Sequence, residues 1–434
     1  MTVKVCDALC GSGKTSACIN MMNARTDQKF IFVTQYLAEV ERIIEGCKPR
    51  DFKAPEMDLS TGTTKLSDIQ RLIAAGENIA TTHALFLSYT AEVKELIRSN
   101  QYVLVLDEVV DVICNAEIAE CDMDLLRKSH MIEEEDDRVN WIGEDYLDSM
   151  HGRFRDEMLR ARSQNFLRFD QEYFFWAIAP ELFTSFSDVY VLTYLFDAQS
   201  LRCFFNMYDI PFEYVGTKQE DGGYWFCAPE EMDRARELRD KIHVLNNEKL
   251  NAIGSRRTSL SFSWFSHAVS GGKDEIDTLR RNLSNVFKNV FGCSSRESLW
   301  TTFKAHEQKL SGKGYSSGFI PYNLRASNRY ADRKYLAYCV NNFPRPWECK
   351  YYREHGVEVN PDMYALSTIV QWVFRSAIRK GEEVWLYIPS KRMRTIFLQW
   401  MDNLAEGRDL EPIHYKTPRK PRGKVTKNVT LKMK

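Results

Sequence analysis

The sequence predicts an α/β protein in two halves, each a mainly parallel sheet flanked by helices. Three observations predict it. Short apolar runs alternate with amphipathic stretches, the pattern of parallel strands joined by crossover helices. The alternation pauses at a polar, glycine-bearing stretch after Lys218 and resumes near Leu260. The 434 residues suffice for two or three cores of ~150 residues each.

In the first half the expected strands are Val3 to Cys6, Phe30 to Thr34, Asn78 to Thr82, Val103 to Asp107 and Val189 to Tyr194. Each ends in polar or small residues, as the ligand-binding edge of such a sheet does. Roughly eighty residues separate the last two, more than one crossover helix needs. They read as a helical insertion over about 115–180, acidic from Asp122 to Asp137 and arginine-bearing from Arg153 to Arg168. The first domain then spans 1–216, an inter-domain segment 217–253, and a second α/β domain 254–406. Its expected strands are Ser259 to Trp264, Gly318 to Pro321 and Val384 to Ile388. The proline- and lysine-rich 407–434 reads as a basic flexible tail.

Hydrophobic residues at 44% and charged residues at 27% match ordinary soluble chains and exclude disordered or collagen-like ones. No apolar run reaches the ~20 residues of a membrane span, and Met1 to Lys14 lacks an apolar signal core. A cytoplasmic location without a membrane partner is therefore expected. The eleven cysteines include no C-x-x-C pair, so reduced thiols are expected. The formal charge of -1 conceals eight bases after Glu411, from Lys416 to Lys434. Setting them aside takes the 59 basic residues to 51 against 60 acidic ones, so a polyanion must be held by local patches or by the tail.

A-L-C-G-S-G-K-T, Ala8 to Thr15, follows an apolar strand and leads into a helix expected at Ser16 to Met22. Gly11 and Gly13 let backbone amides turn inward around a phosphate, with Ser12 between them, and the helix N-terminus adds partial positive charge. Lys14 would reach the β- and γ-phosphates, and Thr15 would place its hydroxyl on Mg2+. Ala8 stands where the motif usually has glycine, and Cys10 reads as a small filler. V-L-V-L-D-E-V-V, Val103 to Val110, ends a buried strand in two carboxylates, which is costly without a cation. Asp107 would hold the metal through water and Glu108 would orient the attacking water. Gln371, Arg375 and Arg379 lie four apart, so a helix would present all three on one face. Guanidiniums so arranged suit a γ-phosphate approached from the second half.

Together these residues resemble a superfamily 2 (DEAD/DEAH-like) nucleic-acid helicase, closest in flavour to compact bacteriophage enzymes. Ala8 to Thr15 is similar to motif I, Asp107-Glu108-Val109-Val110 to motif II, and Gln371, Arg375 and Arg379 to motif VI, whose last arginine is the finger. Val33-Thr34-Gln35 resembles motif Ia, and Thr81-Thr82-His83 the threonine motif after the third strand. Leu192 to Phe196 resembles the coupling motif III while departing from its usual S-A-T, and Asn323 to Arg333 matches motif V loosely. The resemblance implies two RecA-like domains, ATP and Mg2+ in the cleft between them, and movement along or unwinding of DNA or RNA. The first strand begins at Val3, leaving no adenine-reading motif ahead of the loop, so ATP is a family-level expectation. Backbone contacts to a single or forked strand are expected from Thr34, Gln35, Thr61, Gly62 and Thr82 in the first half, and Arg325 and Arg329 in the second. Aromatic wedge candidates are Trp264, Phe265 and Trp347. The tail would add a salt-sensitive component. Two alternatives stay open, a terminase-like DNA-packaging ATPase and a nucleotide-dependent remodelling or switch protein without unwinding.

Overall fold

The computed structural model describes residues 1–416 except 59, 61, 144–151, 164, 171–172, 272 and 324–328. Thr61, Arg325 and the tail bases beyond Lys416 therefore lie outside the described residues.

The first half folds around a seven-stranded sheet. Its chain begins with β1 (Val3–Asp7), β2 (Phe30–Thr34), β3 (Ile79–Thr82) and β4 (Val103–Asp107). An insertion follows, carrying β5 (Ile113–Asn115), β6 (Ile132–Glu135), β7 (Arg138–Trp141), β8 (Asn165–Phe169) and β9 (Tyr173–Ala177). The chain then returns as β10 (Asp188–Thr193) and closes with a hairpin, β11 (Phe212–Glu220) and β12 (Gly223–Cys227). The strand order is β12-β11-β1-β10-β4-β2-β3, all parallel but β12. The five expected strands are present, within one residue at each end, because each is an apolar run buried on both faces. Their carboxyl ends share one edge, with β10 lying between the phosphate-loop strand and the D-E strand.

The expected helical insertion is part helix, with helices over Glu120–Lys128 and Arg155–Ser163, and part sheet. β5 to β9 form a separate five-stranded sheet, antiparallel throughout. The acidic run begins on the helix Glu120–Lys128, while its Glu133 to Asp137 end forms a hairpin, with Asp136 in the left-handed conformation a tight turn requires. Its charge is answered locally, since Arg127 pairs with Glu120, Asp124 and Glu134, and Arg168 with Glu134.

The second sheet comprises β13 (Ile242–Val244), β14 (Ser298–Thr301), β15 (Tyr335–Tyr338) and β16 (Val384–Tyr387), all parallel in the order β13-β16-β15-β14. Of the strands expected here only the last formed. Ser259 to Trp264 is a turn running into a helix, and Gly318 to Pro321 contributes one isolated bridge, Trp300 to Phe319. The strands missed are three or four residues long, too short for periodicity to register. The stretch 217–253 is not a separate connector either, because β12 and much of β11 extend the first sheet while β13 begins the second. Nor is 407–416 a loose tail. Leu410 packs on the second core, Ile413 is fully buried, and the Tyr415 amide donates to Asp362 at 2.7 Å.

Five helices matter below: α1 (Lys14–Ala24), α2 (Phe262–Gly271), α3 (Pro346–Glu354), α4 (Pro361–Val373) and α5 (Lys391–Glu406). The two halves exchange core residues. Tyr351, Tyr352 and Val357, in and after α3, belong to the first core. Leu9, Tyr194, Leu195 and Ala198 belong to the second. Trp347 stacks on Phe175 at 5.3 Å, so the insertion also grips α3.

Candidate nucleotide site

Four carboxyl strand ends and one segment from the second half converge on the cleft. After β1 the loop turns through Gly11 (φ 87) and Gly13 (φ 82), both left-handed, so glycine is required on conformational grounds. At Gly13 a Cβ would also run into the ring of Tyr224 from β12. The hairpin braces the loop from outside, because Thr217 Oγ1 donates to the Ser12 carbonyl at 2.9 Å and Asn20 of α1 donates to the Tyr224 carbonyl at 3.0 Å. Helix α1 starts at Lys14, two residues earlier than the sequence suggested, which aims its N-terminus into the loop. Lys14 Nζ folds back on its own loop, donating to the carbonyls of Ala8 (2.5 Å) and Leu9 (3.0 Å). Neither partner is an anion. Thr15 sits beside it on the first turn, half-buried.

β10 ties the loop to the D-E pair. The Ala8 amide donates to the Thr193 carbonyl (3.1 Å) and the Glu108 amide to the Leu192 carbonyl (2.9 Å). Glu108 has φ 65, unusual for a residue with a side chain and typical of functional sites that hold strain. Asp107 ends β4 on the cleft floor. Burial, then the charge of Glu108, pushes its carboxyl up to about 7, and the charge of Lys14 acts against that rise. His83 Nε2 lies 3.1 Å from the Asp107 carbonyl, placing the end of β3 beside the pair.

The arginine segment is not the continuous helix expected. α4 ends at Val373, and the backbone at Ser376 is extended. The Ser376 hydroxyl donates to the Val373 carbonyl at 2.6 Å and accepts from the Ile378 amide at 3.5 Å, ending one helix and starting a short 3-10 turn. Gln371 still lies on α4, half-buried, lining a cavity of about 440 Å3 together with Glu108, Asp111 and Glu348. Arg375 is 8% exposed, and its Nε has no hydrogen-bond partner among the described residues. Desolvation lowers its pKa, while Cys10 of the phosphate loop and Glu108 act to raise it. Arg379 is exposed on the rim, where it lines a shallow pocket with Arg329 and Asp332. The deeper guanidinium is thus Arg375, not the last arginine of the series. Cys10 itself is half-buried, and desolvation raises the pKa of its thiol.

The residues present fit a nucleoside triphosphate with a divalent cation. The Lys14 amine bonds neutral carbonyls, the buried Arg375 Nε has no partner among the described residues, and burial raises the pKa of the Asp107 carboxyl. Phosphate oxygens would answer the first two and a cation the third. Among the described residues no cluster of three or more metal-binding side chains exists.

The expected nucleic-acid contacts are scattered. Thr34 and Thr82 end neighbouring strands on the shared edge, Thr34 being 2% exposed and the Gln35 Oε1 buried without a partner among the described residues. Gly62 lies in an exposed left-handed turn. Phe265 is core and Trp347 is packed under the insertion, so neither is a wedge.

Sequence reasoning missed two features of the site. Asp7, directly before the loop, accepts from the amides of Leu195 (2.7 Å) and Phe196 (2.9 Å), holding Leu195 at φ 56. Its signal was visible, a carboxylate ending an apolar strand as at Asp107. Tyr194 donates to Asp409 (2.7 Å) and accepts from Trp400 of α5 (2.9 Å), while Arg234 pairs with the other oxygen of Asp409 at 2.6 Å. Those partners lie two hundred residues away, beyond any local pattern.

Residues 236–401 match the family model described as the YonV C-terminal Rossmann-like domain. Over 410 residues, 92% of this chain and 99% of the relative, the sequence is 37% identical to the "SPbeta prophage-derived uncharacterized protein YonV" of Bacillus subtilis (strain 168). The chain belongs to the YonV family. Among solved structures this YonV-family chain is similar to one titled "Structure of S. tokodaii Xpd4", at 10% identity and a TM-score of 0.43, over 92% of this chain and 93% of that one. No helix among the described residues of this family member is long and apolar enough to cross a membrane.

Proposed function

We propose that this protein is a nucleoside triphosphatase, with ATP and Mg2+ as substrate and cofactor, that couples hydrolysis to movement along or unwinding of a nucleic-acid strand. The observation that carries the reading is the placement of Arg375. A second-half guanidinium, buried and with its Nε unpartnered among the described residues, lies near enough to Cys10 of the loop and to Glu108 for their charges to act on it. When bound, the nucleotide and metal supply the leaving phosphate and its charge neutralisation. The chain's residues do the rest. Gly11, Ser12 and Gly13 present amides, Lys14 leaves its carbonyl partners for phosphate oxygens, and Thr15 and Asp107 face the metal. Glu108 orients water, Gln371 borders the same cavity, and Arg375 with Arg379 neutralises charge on the transferred group.

The test is the rate of ATP hydrolysis by the wild-type protein and by Arg375→Ala and Glu108→Gln, each against single- and double-stranded DNA and RNA. Stimulation by a strand and loss of turnover in both variants support the reading. A second reading, a nucleotide-dependent switch, is favoured by the exchanged core residues, which oppose wide separation of the halves. Hydrolysis indifferent to every nucleic acid would select it.

A further inference from the structure

The carboxyl ends of the second sheet open into a groove of about 810 Å3 that the hydrolytic reading leaves unused. Phe262, first residue of α2, projects there and is 57% exposed. Its ring stands edge-on to Phe303, just past β14, at 5.5 Å, and Phe303 in turn meets Tyr322 edge-on at 5.4 Å. Phe343, after β15, closes the far wall under the Arg392 guanidinium, 4.1 Å from its ring. Between the aromatics lie side-chain amides, Asn323 among them, and two cations, Arg345 and Lys304, the latter ion-paired with Glu307 at the groove's edge. The described lining contains no carboxylate. An exposed phenylalanine at the head of a helix, in a groove otherwise amide-lined and cationic, is poorly explained by packing alone.

Charge chooses the occupant. The rest of the chain carries an excess of acid, and the cavity beside Glu108 is bordered by Asp111, Glu117 and Glu348. Those three carboxylates disfavour a nucleic-acid backbone along their wall, and the outer groove presents none among its described lining. The two spaces nevertheless share a wall of Tyr322, Asn323, Phe343 and Arg345, so whatever fills the groove presses on residues that also line the cavity of Glu108. A volume of this size suits a nucleotide or two of one strand and excludes a duplex.

We infer that this groove is a base-stacking platform for a single nucleic-acid strand, with Phe262 as the outermost ring and Lys304 and Arg345 facing the phosphates. The inference rests on the nucleic-acid reading above and adds to it that base faces are gripped as well as backbone. Stacking of this kind is sequence-tolerant, because every base offers a π face.

The experiment uses full-length, nucleotide-free protein and fluorescence anisotropy with labelled oligothymidylate and an abasic strand of equal length. The wild type is expected to bind the base-bearing strand more tightly. Phe262→Ala should lose about tenfold on that strand, from the ~1–3 kcal/mol that one stacked base contributes, and nothing on the abasic one. Phe262→Trp should restore the loss. Basal ATP hydrolysis should be unchanged in both variants, which also reports on folding. Equal wild-type affinity for the two strands, or equal weakening of both by Phe262→Ala, overturns the inference while leaving the triphosphatase reading intact. Failure of the wild type to hydrolyse ATP while the binding pattern holds overturns that reading and spares this one.

Discussion

The phosphate loop and the arginine segment face one cleft and are built by opposite means. The loop is local. Eight consecutive residues, two glycines and a helix start contain nearly all of its geometry, and the β11–β12 hairpin merely braces it. The arginine segment is held from a distance. Its helix stops at Val373, and Arg375 is placed by a serine-capped break and by packing on both sides. The difference teaches that the geometry of a glycine loop opening a helix can be encoded in a short motif. The group that completes it from another lobe has no local code and depends on how the lobes are fastened.

The comparison can be broken most directly at its two ends. Lys14→Ala is expected to reduce ATP hydrolysis to background. Arg375→Ala should lower kcat by about 10³- to 10⁵-fold, the range of an arginine that neutralises transition-state charge. If Arg379→Ala proves as damaging and Arg375→Ala harmless, the rim arginine moves inward on loading and the depth seen here is not the working arrangement.

The next effect is on stability. Asp362 of α4 pairs with the fully buried Arg392 of α5 at 2.8 Å, and Arg392 also donates to Asn341 (2.9 Å) and to the Pro361 carbonyl (2.7 Å). Removing one partner leaves a charge stranded, so Asp362→Ala should cost about 3–5 kcal/mol in denaturant titration. Because α4 leads to Arg375, hydrolysis should fall in this variant while the nucleotide-free phosphate loop stays intact. Normal stability would mean water replaces the carboxylate.

Asp7 supplies a pH signature for the loop side. Burial pushes its carboxyl up to about 6 despite the opposing amide hydrogen bonds. Between its unfolded value near 4 and about 6, the folded state holds a proton that the unfolded chain has released. Asp7 therefore makes stability fall as pH rises through that window, by up to about 3 kcal/mol. Asp7→Asn should flatten the stability profile over pH 4 to 6 relative to wild type. Parallel profiles would show that the two amides already keep the carboxylate ionised.

The smallest expected effect is Tyr194→Phe, which strands the Trp400 indole N–H and one oxygen of Asp409. A loss of about 1–3 kcal/mol follows. A larger fall in hydrolysis than in stability would identify this bond as a coupling between the β10 end and the second half.

The five central strands of the first sheet were legible because each is a buried run of β-branched and other apolar residues ending in polar ones. The insertion's helices were legible but its sheet was not, because E-E-E-D-D has no alternating apolar pattern and its turn depends on the left-handed Asp136. In the second half, S-L-W-T and Y-L-A-Y are strands by virtue of their neighbours, and F-S-W-F, with strand-like composition, is captured by α2.

By itself the sequence determined a glycine loop leading into a helix, an acidic strand end and the parallel sheet beneath them. Those features arise from backbone conformation and burial within a few residues. Tertiary structure alone decided that Arg375 rather than Arg379 lies deep in the cleft, that Tyr194 is bonded to Asp409 and Trp400, and that the halves share core residues. Each of those depends on groups brought together from far along the chain, where spacing in sequence carries no information about distance in space.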